Sequence, residues 1–289
     1  KAGFDGPIIF IPPVLINSFR RETLSRSILG FINMIVQHFL YLSNVPQATY
    51  FERGILKSAT SVVTFSNNVA SQVINQYPNI SGKITIVNPG VDVEKFSPKK
   101  PIKELQNYYG LNEHQKVFLY VGRLTPEKNL EYLIEAFAKL DSKDMMLFLV
   151  GEGYHRSYLE NKCSELEVKT NVIFAGYQDD PSSFYDLAYF FILPSLYEGF
   201  GQVYLEALSS GVPCIGYACK HTATSEIVQD GLNGFVVYEN SSNALSKAMD
   251  RARCLETKEY REMSKNSRDM ILDKYRWEKF VRRVLSLAN

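Results

Sequence analysis

The chain has 289 residues, of which 45% are hydrophobic and 22% are charged. These values are typical of a soluble globular protein, and the length allows two domains of ordinary size. The formal net charge of +1 excludes a strong general attraction to nucleic acids. The four cysteines lack the spacing of a zinc site, so we predict no metal and expect free thiols in a reducing compartment.

Short apolar runs and helical patterns alternate in the first 98 residues. This alternation indicates an α/β domain. The predicted strands cover 7–11, 61–65 and 83–87, and the predicted helices cover about 22–42, 47–58 and 67–76.

The longest apolar run, 28–42, contains Asn33, Gln37 and His38. It is too short and too polar to span a bilayer. A buried core helix is the favoured interpretation, and a membrane-contact helix stays open because the first sixty residues are locally basic. We therefore expect a cytoplasmic protein, with residues 20–42 as the candidate contact to the cytoplasmic membrane face.

A turn cluster at 88–92 precedes a charged, proline-containing segment at 94–101. This composition is typical of a connection between domains. We predict a first domain over 1–98 and a second over 99–289, whose final helix packs back on the first domain.

From residue 116 onward, continuous apolar runs alternate with helical patterns, which predicts a parallel sheet covered on both faces. Ligands of such sheets bind beyond the carboxyl ends of the strands, so the loops that follow the strands are the candidate site. The predicted strands cover 117–121, 146–150, 171–174, 189–193, 213–217 and 234–237. The predicted helices cover about 128–140, 154–166, 181–187, 202–210, 223–229 and 242–254, and two or three more follow.

The loop after the first of these strands carries two cations, Arg123 and Lys128. Arginine offers a planar fork that suits phosphate, and lysine offers a compact charge. Two cations at the end of one strand favour a phosphate site over solvated surface charges.

A glycine turn with Gly199 and Gly201 separates a buried strand from an amphipathic helix. Such a turn lets the backbone N–H groups of the helix start approach a phosphate. Glu198 precedes the turn, and Glu206 lies inside the helix. Carboxylates beside an anion site suit a ligand with both phosphates and hydroxyls, which is the chemistry of a nucleotide sugar.

Gly151 and Gly153 form half of a dinucleotide fingerprint, but Arg156 stands at the third glycine position. We interpret them as a tight turn near the ligand, and an NAD-dependent oxidoreductase is a distant alternative. The acidic pairs at 92–94 and 179–180 are interpreted as linker and helix-cap residues rather than metal ligands.

Several segments, in this order, resemble glycosyltransferase family 4. They read IVNPGVDVEKF over 86–96, VGRLTPEKNL over 121–130, VGEG over 150–153, SLYEGFG over 195–201, GVP over 211–213 and EIVQDGLNGF over 226–235. The resemblance implies a GT-B fold, with two Rossmann-like domains built on parallel sheets. It also implies metal-independent transfer from a UDP- or GDP-linked sugar, without a further cofactor and with retention of anomeric configuration. The acceptor class that it implies is a glycan, a polysaccharide or a lipid-linked sugar.

The resemblance also implies roles for single residues. Arg123 and Lys128 hold the diphosphate, Glu198 contacts the transferred sugar, and Glu206 accepts hydrogen bonds from the ribose. The phosphate cradle consists of backbone around Gly199, Phe200, Gly201, Gln202 and Val203, and the base is flanked by Gly176, Tyr177 and Gln178.

Three features depart from the family pattern. Thr222 and Ala223 stand where the family usually has paired glycines, and Pro12 and Pro13 stand where a histidine is common. The first strand of the usual N-terminal domain and its glycine loop are expected to be absent, so that domain is expected to be incomplete. A non-catalytic glycosyltransferase-like subunit that binds a nucleotide or a partner is therefore the alternative function.

Overall fold

The computed structural model describes residues 9–10, 56–112, 114–140 and 143–287. The chain divides into two compact units, Lys1–Asn88 with Phe280–Asn289, and Pro89–Lys279. The predicted helices 22–42 and 47–58, and with them the membrane-contact candidate 20–42, lie largely or wholly outside the described residues. Among the helices that are described, we find none with the length and apolar character needed to cross a bilayer.

The division after Asn88 lies earlier than the predicted boundary after residue 98. The physical reason is that residues 89–98 are hydrogen-bonded to the second unit. Gln202 Nε2 donates to Gly90 O at 2.8 Å, and Arg268 donates to Val93 O at 2.9 Å and to Phe96 O at 2.8 Å. A segment whose composition suggests a linker is thus part of the second unit.

The first unit contains a parallel sheet of three described strands in the order β1-β2-β3. They are β1 (Ile9–Phe10), β2 (Ser61–Thr64) and β3 (Ile84–Ile86), and helix α1 (Asn67–Gln76) follows β2. Ser66 caps α1 by accepting a hydrogen bond from Val69 N at 3.1 Å. The Phe65 ring meets that of Phe280 edge-on at 5.8 Å, so the last helix contributes to this unit.

The second unit is built on a six-stranded sheet in the order β6-β5-β4-β7-β8-β9, in which every pair is parallel. All six predicted strands are present, with ends that differ by at most two residues. The parallel α/β fold predicted from the sequence is confirmed. The strands are β4 (Lys116–Val121), β5 (Met145–Val150), β6 (Val172–Gly176), β7 (Ala188–Leu193), β8 (Cys214–Tyr217) and β9 (Gly234–Val237).

Helices connect these strands, as neighbouring parallel strands of one sheet require. One helix, α2, was not predicted, because none of its residues is buried and it therefore lacks an apolar stripe. The helices from residue 89 onward are α2 (Lys103–Tyr108), α3 (Leu130–Ala138), α4 (Arg156–Glu165), α5 (Ser182–Leu187), α6 (Gln202–Ser209), α7 (Thr224–Ile227), α8 (Ser242–Arg253), α9 (Thr257–Lys274) and α10 (Trp277–Leu285).

The turn that enters β9 is built around Asn233, which is fully buried. Its Oδ1 accepts a hydrogen bond from Gln229 N at 2.7 Å, and its Nδ2 donates one to Ile227 O at 3.0 Å. The amide satisfies one backbone donor and one backbone acceptor inside the core, which explains the asparagine in the EIVQDGLNGF segment.

The loops after β4, β5 and β6 pack backbone against backbone. Gly122 N donates to Val150 O at 2.9 Å, and Gly151 N donates to Gly176 O at 2.8 Å. A Cβ atom on Gly151 would lie 1.9 Å from Gly122 O, and Gly151 has φ +135°. The glycine turn expected near the ligand is therefore required by loop packing.

We expect Gly151→Ala to lower the free energy of unfolding by roughly 2–4 kcal/mol, because it combines backbone strain with overlap of backbone atoms. Gly231→Ala is the matched control, since Gly231 has φ +76° with nothing within 4 Å of the added Cβ, and should cost about 1 kcal/mol. Urea unfolding followed by the fluorescence of Trp277, the single tryptophan, measures both. Equal losses would show that the loop contact imposes no constraint.

Candidate functional site

The strand order places β4 beside β7, so the chain winds outward in both directions from this pair. The carboxyl ends of two such strands form the crevice in which doubly wound sheets bind ligands. The loops after β4 and after β7 are joined there, because Leu196 N donates to Glu127 O at 2.9 Å. The two loops that the sequence singled out thus meet at one point.

Lys128 and Glu198 form an ion pair at this point, with Nζ 2.7 Å from Oε2. The two side chains are only 13% and 20% exposed. Glu198 is fixed from the other side as well, since its backbone N donates to His221 O at 3.0 Å in the loop after β8. The structure therefore brings together the predicted cation and the predicted sugar-contacting carboxylate.

Arg123 lies on the same loop, but its side chain is exposed rather than buried. Its side chain is 76% exposed, and its contact is to Glu127, with Nη2 3.6 Å from Oε1. Glu127 also accepts a hydrogen bond from Thr125 Oγ1 at 2.7 Å. Burial works to raise the pKa of Glu127, but this hydrogen bond and the nearby charges of Arg123 and Lys128 hold it below its usual value. The Glu127 carboxylate thus lies beside an exposed guanidinium.

The glycine turn leads into α6 through Gly201, which has φ +88° and precedes the helix without a side-chain cap. A Cβ on Gly201 would lie 2.7 Å from Tyr204 Cδ2. The Phe200 side chain is buried and lies near Tyr275, with ring centroids 6.1 Å apart. At Phe200 and Gly201 the backbone rather than a side chain is available to an anion at the helix start.

The other residues of the predicted phosphate cradle differ in their contacts and exposure. The Gln202 side chain is committed to Gly90 O, as described above. Gly199 lies between Glu198 and Phe200 in the turn, and Val203 is partly exposed in the first turn of α6.

Glu206 faces Tyr185 of α5, whose hydroxyl donates to Glu206 Oε2 at 2.8 Å. Burial raises the pKa of Glu206 to about 7, against the opposing effects of this hydrogen bond and of the charge of Lys95. The carboxyl therefore holds its proton to a higher pH than an exposed glutamate does. Among the described contacts, none joins Glu206 to the Lys128–Glu198 pair.

The three residues predicted to flank the base lie at the end of β6, the edge strand, where Gly176 is the last residue of the strand and Tyr177 and Gln178 follow it. Tyr177 is 70% exposed, and Gln178 Nε2 donates to Ala175 O at 3.0 Å within its own turn. Gly176 is held through its carbonyl by Gly151 N. The described contacts of these residues are with β5, β6 and the loop after β5, and their role toward a base stays a prediction.

Sequence reasoning missed two side chains of the site. Tyr185 fits the apolar pattern of α5 and was interpreted only as helix. No signal in the sequence identifies the partner of the Tyr185 hydroxyl. His221, in the loop after β8, stacks on Tyr197 with ring centroids 4.4 Å apart.

Thr222 stands where the family usually has glycine, and its hydroxyl closes the loop after β8. It accepts a hydrogen bond from Cys219 N at 3.0 Å and donates one to Tyr217 O at 3.1 Å.

The fold and the switch-point crevice define a doubly wound α/β class, whose members bind ligands beyond the carboxyl ends of their strands. The sequence model of the family described as "Glycosyl transferases group 1" matches residues 101–270, and the chain belongs to this family. The resemblance predicted from the motifs is confirmed.

Two relatives and one solved structure illustrate the likeness. An uncharacterized glycosyltransferase of Methanocaldococcus jannaschii is 29% identical over 78% of this chain and 59% of its own. The UDP-Gal:alpha-D-GlcNAc-diphosphoundecaprenol alpha-1,3-galactosyltransferase of Escherichia coli is 31% identical over 71% of this chain and 54% of its own. The structure of Anabaena HepE in complex with UDP superposes with a TM-score of 0.73 at 21% identity, over 79% of this chain and 63% of that one. The fold is therefore of the expected GT-B type, and the chain spans a little over half the length of these two sequence relatives.

The ion pair and the exposed guanidinium should differ in their effect on stability. We expect Lys128→Met to lower the free energy of unfolding by roughly 1–3 kcal/mol, because it leaves a mostly buried carboxylate without its partner. Arg123→Ala should change it by less than about 0.5 kcal/mol. A double-mutant cycle with Glu198→Gln, read by urea unfolding, measures the coupling. Additive losses at Lys128 and Glu198 would contradict a paired state.

Proposed function

We propose that this protein transfers a sugar from a nucleoside diphosphate sugar to a glycan, polysaccharide or lipid-linked acceptor. The observation that carries the proposal is the Lys128–Glu198 pair at the switch point, beside the exposed Arg123 and the uncapped start of α6. Cations, a helix start and a carboxylate at one crevice suit a ligand that has both a diphosphate and sugar hydroxyls.

Two of the comparisons support a UDP-linked donor. The Escherichia coli relative is named for UDP-Gal and for a diphosphoundecaprenol acceptor, and the HepE structure contains UDP. A GDP-linked donor remains the alternative within the same class. The two sequence relatives are both named as transferases, and neither supports a non-catalytic subunit.

The proposed mechanism is electrostatic. Negative charge develops on the diphosphate as the bond to the sugar breaks, and fixed positive groups at that position stabilise it. Arg123 and Lys128 supply those charges, and the backbone from Phe200 to Val203 supplies N–H donors. In this proposal Lys128 is shared between Glu198 and the diphosphate, which places the carboxylate next to the transferred sugar.

Three finer features are part of the proposal. The reaction retains the anomeric configuration, as the family resemblance implies. It is independent of divalent metal, because the protein supplies the positive charge. The protein acts in the cytoplasm, with residues 20–42 as the candidate contact to a membrane face.

Arg123→Ala and Lys128→Ala should each weaken the binding of UDP or GDP by about 1.5–3 kcal/mol, the value of a hydrogen bond to a charged group. Titration calorimetry with both nucleotides measures this. Lys265→Ala is the matched control, because it removes the same charge from an exposed position on α9 that is paired with Asp269. Unchanged affinity in both site variants would remove their phosphate role.

A panel of UDP- and GDP-sugars, with products identified by mass spectrometry, tests the function. We expect transfer or slow donor hydrolysis from one donor, undiminished by excess chelator. Glu198→Gln should lower turnover by more than it lowers affinity for the bare nucleotide, since its proposed contact is to the sugar. No sugar release from any donor would favour the non-catalytic subunit. Loss of activity in chelator, restored by Mg²⁺ or Mn²⁺, would contradict metal independence.

A further inference from the structure

The hydroxyl of Tyr185 is a buried polar group whose only described hydrogen bond is to Glu206. Tyr185 is 1% exposed, and its ring is held between Phe96 and Phe191, with centroids at 5.7 Å and 5.9 Å. A ring held on two sides cannot move its hydroxyl away without disrupting the core. The hydroxyl is therefore a fixed donor aimed at one carboxylate oxygen.

We propose that Tyr185 is a positioning residue for nucleotide binding, because by occupying Glu206 Oε2 it directs Oε1 toward the ligand as the acceptor. This inference rests on the proposed function, in which Glu206 accepts hydrogen bonds from ribose hydroxyls. No hydrogen bond to Oε1 is present among the described residues. A carboxylate with one oxygen fixed and one oxygen open presents a single acceptor in a defined direction.

The Tyr185–Glu206 hydrogen bond also affects whether the Glu206 carboxyl is ionised, and therefore whether it can accept hydrogen bonds with both oxygens. A protonated carboxyl donates a hydrogen bond through the oxygen that carries the proton, instead of accepting with both oxygens. Burial raises the pKa of Glu206, whereas the Tyr185 hydrogen bond is the first of the influences that lower it again. Removing the hydroxyl takes away that influence and should keep Glu206 protonated to a higher pH.

The other charged and titratable groups around Glu206 come from four further elements. Lys95 precedes α2 and favours the ionised form, but it is itself paired with Asp180 at 2.9 Å, and Asp180 favours the protonated form. Burial raises the pKa of the Cys214 thiol on β8 well above its usual value, so it stays neutral. Arg268 of α9 is committed to backbone carbonyls at the far end of α6. Tyr185 is thus the direct hydrogen-bond partner among these groups.

In this proposal the ionised form of Glu206 binds the nucleotide, and this sets the direction in which affinity changes with pH. Nucleotide affinity should rise with pH through about 7, the pKa of Glu206, and should level off above it. Below that pH, binding should release a proton from Glu206. In Tyr185→Phe the same curve should lie at higher pH, with affinity about tenfold weaker at pH 7 and a smaller loss that remains at high pH, where Glu206 is ionised but its Oε1 is no longer directed.

The test is calorimetric titration of UDP, with GDP in parallel, between pH 5.5 and 9. Each pH is measured in two buffers of different ionisation enthalpy, which counts the protons released. Glu206→Gln gives the background slope that arises from the phosphates of the nucleotide itself. Tyr204→Phe is the matched control, because its buried hydroxyl on α6 bonds Leu193 O and Thr224 rather than Glu206.

A raised midpoint in Tyr185→Phe, with the wild-type midpoint in Tyr204→Phe, would support the positioning role. An affinity loss in Tyr185→Phe that is equal at every pH would show a merely structural role and would overturn the inference. So would a wild-type curve no steeper than that of Glu206→Gln. Wild-type protein that binds neither nucleotide would overturn the proposed function as well, so the two failures are distinguishable.

Discussion

The backbone contact between the loops after β4 and β5 is the constraint on which the crevice depends. Gly151 and Gly153 lie so close to Gly122 O and Leu124 O that neither has room for a side chain. Arg123 follows Gly122 directly, and Lys128 lies further along the same loop. This contact therefore helps to set where both cations lie relative to Glu198. The site is therefore positioned by glycines, which carry no functional side chain. A substitution at one of these glycines would displace Arg123 and Lys128 although both residues stay unchanged.

The sheet of the second unit could be predicted from the sequence because its strands are buried on both faces. The six residues of β5, for example, are all buried, and a run of this kind is visible without any alignment. Helix α2 could not be predicted in this way, since its exposed surface leaves no periodic pattern. The start of the second unit was also beyond sequence reasoning, because it depends on Arg268, more than 170 residues after the carbonyls of Val93 and Phe96 that it binds.

The candidate site, like the fold, could be predicted only in part from the sequence. Lys128 and Glu198 were predicted as members of one site because their loops follow strands of one parallel sheet, and parallel strands deliver their carboxyl ends to the same edge. Their direct pairing needed the strand order, which the sequence alone does not state. Tyr185 was missed because a tyrosine in an apolar pattern gives no sign of the partner of its hydroxyl. The contact with Glu206 joins two helices and is visible only in three dimensions.

The buried Asn233 has a consequence for the chemical ageing of the protein. An asparagine followed by glycine is normally prone to deamidation, since the next backbone nitrogen attacks the side-chain carbonyl to form a cyclic imide. Here the side chain precedes Gly234, but both ends of its amide are held by the backbone of residues 227 and 229. The amide cannot turn toward the attacking nitrogen without breaking both bonds inside the core. The Asn233–Gly234 pair is thus protected from deamidation for as long as the protein stays folded.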